Sequence, residues 1–284
     1  MKIQTTRRTF FGTAAGAAAL GALDGTPAAA RIEETPWGLK LGVATYSFRK
    51  FDRAKTIAML KELHTPWISI KDVHLSQKLT PEETQAAAKE FTDAGLKIMS
   101  GGNVDMTKDK TIEELRKHFI YARNAGMPMM VCAPTHENLK MVESLVKEYN
   151  IRIAIHNHGP EDKHFPTPQS VLEAVRPLDP RCGLCMDIGH SARTGIDLVK
   201  TIVEAGSRLL DMHVKDLSDL SKKDSQCDVG DGVMPFPQIF KQLHKMNYQG
   251  CVNLEYEIHE DDPMPGMQRS FSYMRGVLAG LASA

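Results

Sequence analysis

The sequence lacks several features that mark whole classes of protein. Its 35 Lys and Arg residues are balanced by 35 Asp and Glu residues, so the chain has no basic excess of the kind that nucleic-acid phosphates require. No Gly-rich phosphate-binding loop follows the first predicted strand, which disfavours a doubly wound nucleotide-binding sheet. We therefore expect no nucleic-acid partner and a fold other than the open α/β sheet.

Cysteine is scarce, with five residues in the chain. Four of them, Cys132, Cys182, Cys185 and Cys251, lie on predicted core strands, where thiols usually act as small apolar groups. Cys182 and Cys185 spell C-x-x-C, but residues three apart on a strand point to opposite faces. The sequence therefore does not favour a shared redox or zinc site at this pair.

The apolar run near the N-terminus is too short and too rich in glycine to span a bilayer. It follows the pair Arg7-Arg8 and leads to Ala28-Ala29-Ala30, a small-residue cleavage pattern. We interpret residues 1–30 as a cleaved twin-arginine export signal. The expected location is the periplasm, without stable membrane insertion after the signal is removed.

The rest of the chain, residues 36–284, alternates predicted strands with predicted helices eight times. Five strands at 39–47, 67–75, 96–100, 128–133 and 152–156 are followed by three that carry Asp187, His213 and Glu255. Thr80 and Thr111 each precede a glutamate by three residues, which is the capping-box pattern of a helix start. About 250 residues with this alternation predict a single-domain (β/α)8 TIM barrel.

Four consecutive predicted strands end in a polar residue that binds metals well. These residues are His156, Asp187, His213 and Glu255. The carboxyl ends of barrel strands meet at one end of the barrel, and charged residues are seldom buried there unless they are paired or bind a metal. A mixed set of imidazoles and carboxylates is typical of a site for Zn²⁺, Mn²⁺ or a similar divalent ion.

Strand parity supports the same site, because residues two apart on a strand share a face. It groups polar residues on three of the strands: His156 with His158, Asp211 with His213 and Lys215, and Asn253 with Glu255 and Glu257. Hydrogen bonds at the barrel rim are the structural alternative for each of them. Polar groups at four consecutive strand ends favour a site instead.

These motifs carry a resemblance over the whole chain after the signal. Asp187-Ile-Gly-His190 is similar to a D-x-x-H motif, His213-Val-Lys-Asp216 to H-x-x-D/E, and Leu254-Glu255 to a strand-eight glutamate. Together, and in this order, they resemble the xylose isomerase-like, sugar phosphate isomerase/epimerase superfamily of α/β barrels. The resemblance implies a divalent metal held between strands five and eight.

Strand five departs from that family. Its relatives commonly read L-E-N-H-G with the glutamate as a ligand, whereas this chain reads Ile155-His-Asn-His-Gly159 and has His156 at that place. In epimerases of the family, the glutamates of strands five and eight are also the acid/base pair. The substitution lowers the negative charge of the site by one and puts that symmetric mechanism in doubt.

The expected chemistry is metal-assisted enolisation of a non-phosphorylated keto-sugar through an enediolate. Glu255 or His158 would remove the α-proton, and Lys215 would stabilise an oxyanion or leaving group. His190, Glu257 and His74 are expected to contact the substrate. We expect Mn²⁺, with Mg²⁺, Co²⁺ and Zn²⁺ as alternatives.

Several functions remain open from the sequence. Reprotonation of the enediolate gives an isomerase or epimerase, whereas loss of a β-substituent gives a lyase or dehydratase acting on 3-keto-glycosides. A non-catalytic periplasmic sugar-binding barrel is an alternative of another class. The pair His156-x-His158 also matches the H-x-H of amidohydrolases, although it lies on the fifth strand and not the first. The expected partner is a small carbohydrate, and a homo-oligomer is compatible with the sequence.

Overall fold

The computed structural model describes residues 35–283, and eight parallel strands form a closed barrel in this part of the chain. The strands are β1 (Lys40–Ala44), β2 (Trp67–Ile70), β3 (Lys97–Asp105), β4 (Met129–Ala133), β5 (Arg152–His156), β6 (Cys182–Asp187), β7 (Leu209–Val214) and β8 (Cys251–Leu254). Each strand pairs with its sequence neighbours, and β8 closes the barrel against β1. The predicted (β/α)8 TIM barrel is confirmed. The predicted export signal lies outside the described residues.

Helices follow the strands around the outside of the barrel. They are α1 (Arg53–Glu62), α2 (Pro81–Asp93), α3 (Ile112–Asn124), α4 (Leu139–Tyr149), α5 (Pro168–Val175), α6 (Ile188–Ala192), α7 (Leu198–Ala205), α8 (Phe236–Lys245) and α9 (Met264–Ala282). Thr80 and Thr111 form the two predicted capping boxes with Glu83 and Glu114. Among the described helices, none has the length and apolar character needed to cross a membrane.

The strands and helices enclose an apolar shell. Its fully buried members include Leu60, Phe91, Phe119, Val146, Phe240 and Phe271, one from each of six helices. Parallel strands are covered on their outer face by helices, so side chains on that face must be apolar to pack there. The polar residues of the strands therefore point inward or lie at the strand ends.

Two strands are shorter than the sequence predicts, and the difference shapes the mouth of the barrel. The predicted strand 39–47 ends at Ala44, where Thr45–Phe48 forms a 3-10 helix and the Ser47 hydroxyl donates to the Ala44 carbonyl. The predicted strand 67–75 ends at Ile70, because the Lys71 N–H donates to the Thr45 hydroxyl at 2.9 Å instead of to a neighbouring strand. Lys71 consequently lies at the carboxyl end of β2.

The strand register aligns the predicted site residues. Asp187 is paired with His213, and His213 with Asn253, while His156 is paired with Cys185. One layer further into the barrel, Asp211 accepts hydrogen bonds from Ser100 Oγ at 2.6 Å and Asn253 Nδ2 at 2.8 Å. Burial raises the pKa of Asp211 to about 7, against the lowering effect of the hydrogen bonds from Ser100 and from the Met212 N–H. The parity argument from the sequence thus places a polar layer beneath the site.

Gly102 lies on β3 at a position that accepts no larger residue. Its φ is +126°, and a Cβ atom there would collide with the carbonyl oxygen of Val131 on β4. Gly95 also has a positive φ, +86°, but no atom lies within 4 Å of the place its Cβ would take. A comparison of substitutions at the two glycines therefore separates the cost of a positive φ from the cost of steric overlap.

We expect Gly95→Ala to cost about 1 kcal/mol, the usual penalty for a positive φ without glycine. Gly102→Ala should cost clearly more, because β3 and β4 must separate to admit the methyl group. Urea unfolding of both variants beside the wild type measures the difference. Equal free energies of unfolding for the two variants would show that the overlap at Val131 is relieved without cost.

Candidate metal centre and substrate cavity

The four predicted metal ligands lie together at the carboxyl end of the barrel. His156 Nε2 is 3.2 Å from His213 Nδ1 and 3.6 Å from Asp187 Oδ2. His213 Nδ1 is 3.4 Å from Glu255 Oε2. Ligand atoms from all four side chains lie within 4.8 Å of one another, and all four residues are buried. The barrel therefore brings together the complete predicted set.

The chemistry and spacing of this set fit a divalent metal ion. A tetrahedral ion with bonds of about 2.1 Å holds its ligands about 3.4 Å apart, close to the three distances above. Asp187 Oδ2 is fully buried and accepts no hydrogen bond in the described part of the chain. Lys215 Nζ is 3.2 Å from this oxygen but outside hydrogen-bonding geometry. A cation bound between the four side chains would satisfy the oxygen.

Asp187 serves two purposes at the end of β6. Its Oδ2 points to the metal set, and its Oδ1 accepts a hydrogen bond from the His190 N–H at 2.8 Å. This second contact caps α6, a five-residue helix that the sequence did not predict. The D-x-x-H spacing therefore also describes a helix start, with the aspartate at the cap and His190 in the first turn.

Two buried lysines contact the carboxylates of the set. Lys71 Nζ is 3.0 Å from Glu255 Oε1, and Lys215 Nζ is 3.1 Å from Glu255 Oε2. Burial alone would raise the pKa of Glu255, but Lys71, His213 and Lys215 together hold it well below its usual range. Burial would lower the pKa of Lys215, but Asp187 and Glu255 raise it well above its usual range. Glu255 and Lys215 are therefore both ionised at neutral pH.

The imidazoles of His213 and His190 are neutral. Burial lowers the pKa of each to about 4, and in both cases a nearby carboxylate only partly offsets it. Arg193 Nη2 is 3.0 Å from His190 Nδ1. Because a guanidinium can only donate, Nδ1 accepts and the proton of His190 is on Nε2. A neutral His213 is the form that binds a metal ion.

A cavity of about 760 Å³ opens above the metal set. Its walls come from Thr107 after β3 and from the segments after β5, β6, β7 and β8, and they include the predicted residues His158, His190, Lys215 and Glu257. The four metal ligands are not among the lining residues and lie beneath its floor, where Glu255 is 7% and His156 5% exposed. Lys215 lies between the two regions, because it lines the cavity and contacts Glu255 and Asp187.

His158 is the most accessible of the predicted catalytic groups. Its side chain is 55% exposed, and the nearest carboxylate oxygen, on Asp162, is 4.0 Å away. Burial, together with the neighbouring His156, lowers the pKa of His158. Its ring centre is 5.3 Å from that of His156 and 4.6 Å from that of His190. His158 thus lies directly beside a metal ligand and faces the cavity.

The structure does not bring His74 to the cavity, and the expected substrate contact is not supported. His74 is 2% exposed. Its Nδ1 is 3.0 Å from the Thr45 hydroxyl, and its Nε2 is 3.0 Å from the Thr56 hydroxyl and near the carbonyls of Phe48 and Phe51. Because β2 ends at Ile70, His74 folds back under the first helix. Its role is to join β1, β2 and α1.

Sequence reasoning missed two residues of the site. Lys71 follows the apolar strand Trp67–Ile70, but the predicted strand runs to residue 75, so the pattern used for the other four strand ends does not mark it. Arg193 had no comparable signal. Its guanidinium forms an ion pair with Glu161 at 2.6 Å and orients His190, contacts that depend on two loops meeting in space.

Comparison with known proteins agrees with this geometry. The profile of the family described as xylose isomerase-like TIM barrel matches residues 68–277. The chain belongs to this family. An inosose dehydratase from Mesomycoplasma hyopneumoniae strain 7448 is 26% identical over 248 residues, which cover 70% of this chain and 82% of the dehydratase. Two other curated relatives match over shorter stretches, and the matches span 38% and 41% of their lengths.

Solved structures of the family share the fold. The IolI protein with a bound zinc atom has a TM-score of 0.71 and 15% identity, and the match covers 85% of this chain and 99% of that one. The 3-keto-D-glucoside 4-epimerase YcjR from E. coli has a TM-score of 0.67 and 19% identity, with 84% and 99% covered. At this level of identity the likeness shows the fold, and the donor set described above supports a divalent ion independently.

We expect purified protein to contain a divalent ion, and Asp187→Ala and His156→Ala to lose most of it, because each removes one of four ligands. Elemental analysis by mass spectrometry after gel filtration measures the content. Glu161→Gln is the control, since it changes a cavity carboxylate outside the ligand set. Wild-type metal content in both alanine variants would show that these residues are not ligands.

Proposed function

We propose that this protein is a divalent-metal-dependent isomerase or epimerase that acts on a non-phosphorylated keto-sugar or a related carbohydrate. One observation carries the proposal: four metal-binding side chains converge directly beneath a cavity that His158, His190, Lys215 and Glu257 line. Such a site can bind a polar molecule and remove a proton next to its carbonyl group. The fold and the epimerases and dehydratases that share it support this class of enzyme.

His156, Asp187, His213 and Glu255 would hold the ion. When bound, a divalent ion supplies a Lewis acid that stabilises negative charge on a carbonyl oxygen. The side chains that line the cavity supply the remaining functions. They bind hydroxyl groups, move a proton and exclude part of the water.

His158 is the proposed general base. Both oxygens of Glu255, the other candidate, are engaged: Oε1 by Lys71 at 3.0 Å, and Oε2 by Lys215 at 3.1 Å and His213 at 3.4 Å. A carboxylate with these neighbours is a weak base and lies below the cavity floor. His158 lines the cavity and has no partner closer than 4.0 Å in the described ion pairs. In an isomerisation its imidazole would take the α-proton from one carbon and deliver it to the neighbouring carbon, the former carbonyl carbon.

Lys215, His190 and Glu257 are the proposed groups that position the substrate. The ammonium of Lys215 contacts Glu257 and lines the cavity, where it stabilises an oxyanion or a departing hydroxyl. His190 carries its proton on Nε2 and can donate it in a hydrogen bond. Glu257 has a side chain that is 38% exposed and can accept from a sugar hydroxyl.

A metal-dependent dehydratase or lyase is the second candidate. The contacts of Glu255 favour it, since they leave His158 as the single proposed base and a single base suffices for elimination. In this reaction the proton that His158 takes from carbon is given to a β-hydroxyl group, which leaves as water. The inosose dehydratase relative adds support for this candidate.

The proposal is tested by incubating the metal-loaded protein with 3-keto-glycosides and other keto-sugars in D₂O. We expect deuterium at the α-carbon of the substrate, with a new sugar or an unsaturated ketone as product. A sugar-binding protein without activity would show affinity but neither deuterium uptake nor product. No deuterium uptake with any ketone would contradict proton removal.

We expect His158→Gln to lower kcat by a factor of about 10² to 10⁴, the usual contribution of a general base. Metal content should not change, because His158 is outside the ligand set. His244→Gln, which replaces a histidine on α8 far from the cavity, is the matched control. If His158→Gln retained wild-type kcat, another group would have to be the base.

The proposed location is the periplasm, supported by the twin-arginine pattern within residues 1–30. This location also supports a non-phosphorylated substrate, since phosphate esters are mainly cytoplasmic metabolites. We expect the pair Arg7→Lys and Arg8→Lys to abolish export, so that the full-length precursor accumulates in the cytoplasm. Cell fractionation with immunodetection measures this, and a precursor still processed in the periplasm would contradict the twin-arginine route.

A further inference from the structure

The buried charges around the metal set cancel without any added ion. Asp187 and Glu255 contribute two negative charges, and Lys71 and Lys215 contribute two positive charges. All four residues are at most 7% exposed. Each ammonium nitrogen is 3.0 to 3.2 Å from a carboxylate oxygen. The protein therefore supplies two neutral pairs where a metal site usually supplies excess negative charge.

A divalent ion at this position leaves positive charge in excess. The other carboxylate in contact with the group is Glu257, which is paired with Lys215 and offsets one unit. The imidazoles add no negative charge. One positive unit then remains in a region with little access to solvent, where an uncompensated charge is costly. A monoanion bound beside the ion would balance it.

The rest of the cavity does not select for charge in the same way. Its wall carries both signs, with Lys163, Arg193 and Lys223 beside Glu161, Asp162 and Asp224. A preference for an anion would therefore arise next to the metal set, where Lys71 and Lys215 contact Glu255. The excess positive charge is one unit. The single negative charge of a carboxylate balances it better than the double negative charge of a phosphate ester.

We infer that the metal centre takes a carboxylate as its ligand, and that the substrate is consequently a sugar acid or a keto acid derived from one. This inference rests on the proposed function and narrows its substrate class. Lys71 is the residue that sets this preference. It contacts Glu255 from β2, on the side away from the cavity lining, and its charge has no other partner among the ion pairs of residues 35–283.

The test uses the full-length mature protein loaded with Co²⁺, whose visible absorption reports ligands at the ion directly. Sodium acetate, sodium phosphate and sodium chloride are the probes, so no substrate needs to be known. We expect acetate to change the cobalt spectrum in the millimolar range, at lower concentration than phosphate or chloride. No spectral response to acetate would overturn the inference, and a tighter response to phosphate would overturn the choice of a carboxylate.

Three variants identify the source of the preference. Lys71→Met removes one positive charge near the ion and should weaken acetate binding by about tenfold. Lys71→Arg keeps the charge and should bind acetate as the wild type does. Lys163→Met removes a charge from the cavity wall and should have little effect. Equal acetate affinity in wild type and Lys71→Met would overturn the role of Lys71.

The same experiment separates this inference from the proposed function. If the protein takes up no Co²⁺, the metal centre itself fails and the proposed function fails with it. If it takes up Co²⁺ and the spectrum ignores acetate, the proposed function stands and only the carboxylate assignment is wrong.

Discussion

Eight parallel strands that close into a barrel force alternate side chains into one interior, and this constraint determines where the polar groups lie. Near the middle of the barrel, Asp211, Ser100 and Asn253 satisfy one another by hydrogen bonds. At the carboxyl end, the next residues of the same parity have no such closed arrangement. There, nitrogen and oxygen atoms that can bind a metal lie within 4.8 Å of one another, which is the condition for binding an ion.

Electrostatics divides the site into two regions with different tasks. Next to the cavity, ion pairs with Lys71 and Lys215 keep the buried carboxylates of Glu255 and Asp187 ionised, the form in which they could bind a metal ion. Above the floor, His158 and His190 face open space. This division follows from the chain itself, because a histidine stands on β5 at position 156 and a lysine follows β2 at position 71. Under the proposed function, proton transfer would fall to the neighbouring imidazole of His158 and not to the metal-binding carboxylates.

Much of this arrangement was predictable from the sequence, and the failures have physical causes. His156, Asp187, His213 and Glu255 were found because an apolar strand that ends in a polar residue leaves a strong local signal. Period-two parity supported their grouping. The structure does not place His74 at the cavity, because β2 ends early at a hydrogen bond to Thr45, which is distant in sequence. Lys71 was missed for the same reason, because the predicted strand runs past it to residue 75 and Lys71 is then not a strand end. Arg193 depends on a contact between two loops, which local patterns do not encode. The start of α6 is a local cap by Asp187, at a residue interpreted from the sequence only as a metal ligand.

Asp187 joins the metal set to the cavity wall through its two oxygens. Oδ2 belongs to the ligand group, and Oδ1 caps the helix that carries His190 and leads to Arg193. A force on Oδ2 would rotate the carboxylate. The rotation would change the hydrogen bond that Oδ1 accepts from the His190 N–H. An ion bound at Oδ2 would in this way be mechanically linked to the cavity wall through one side chain, and loss of that ion would loosen the helix that carries His190.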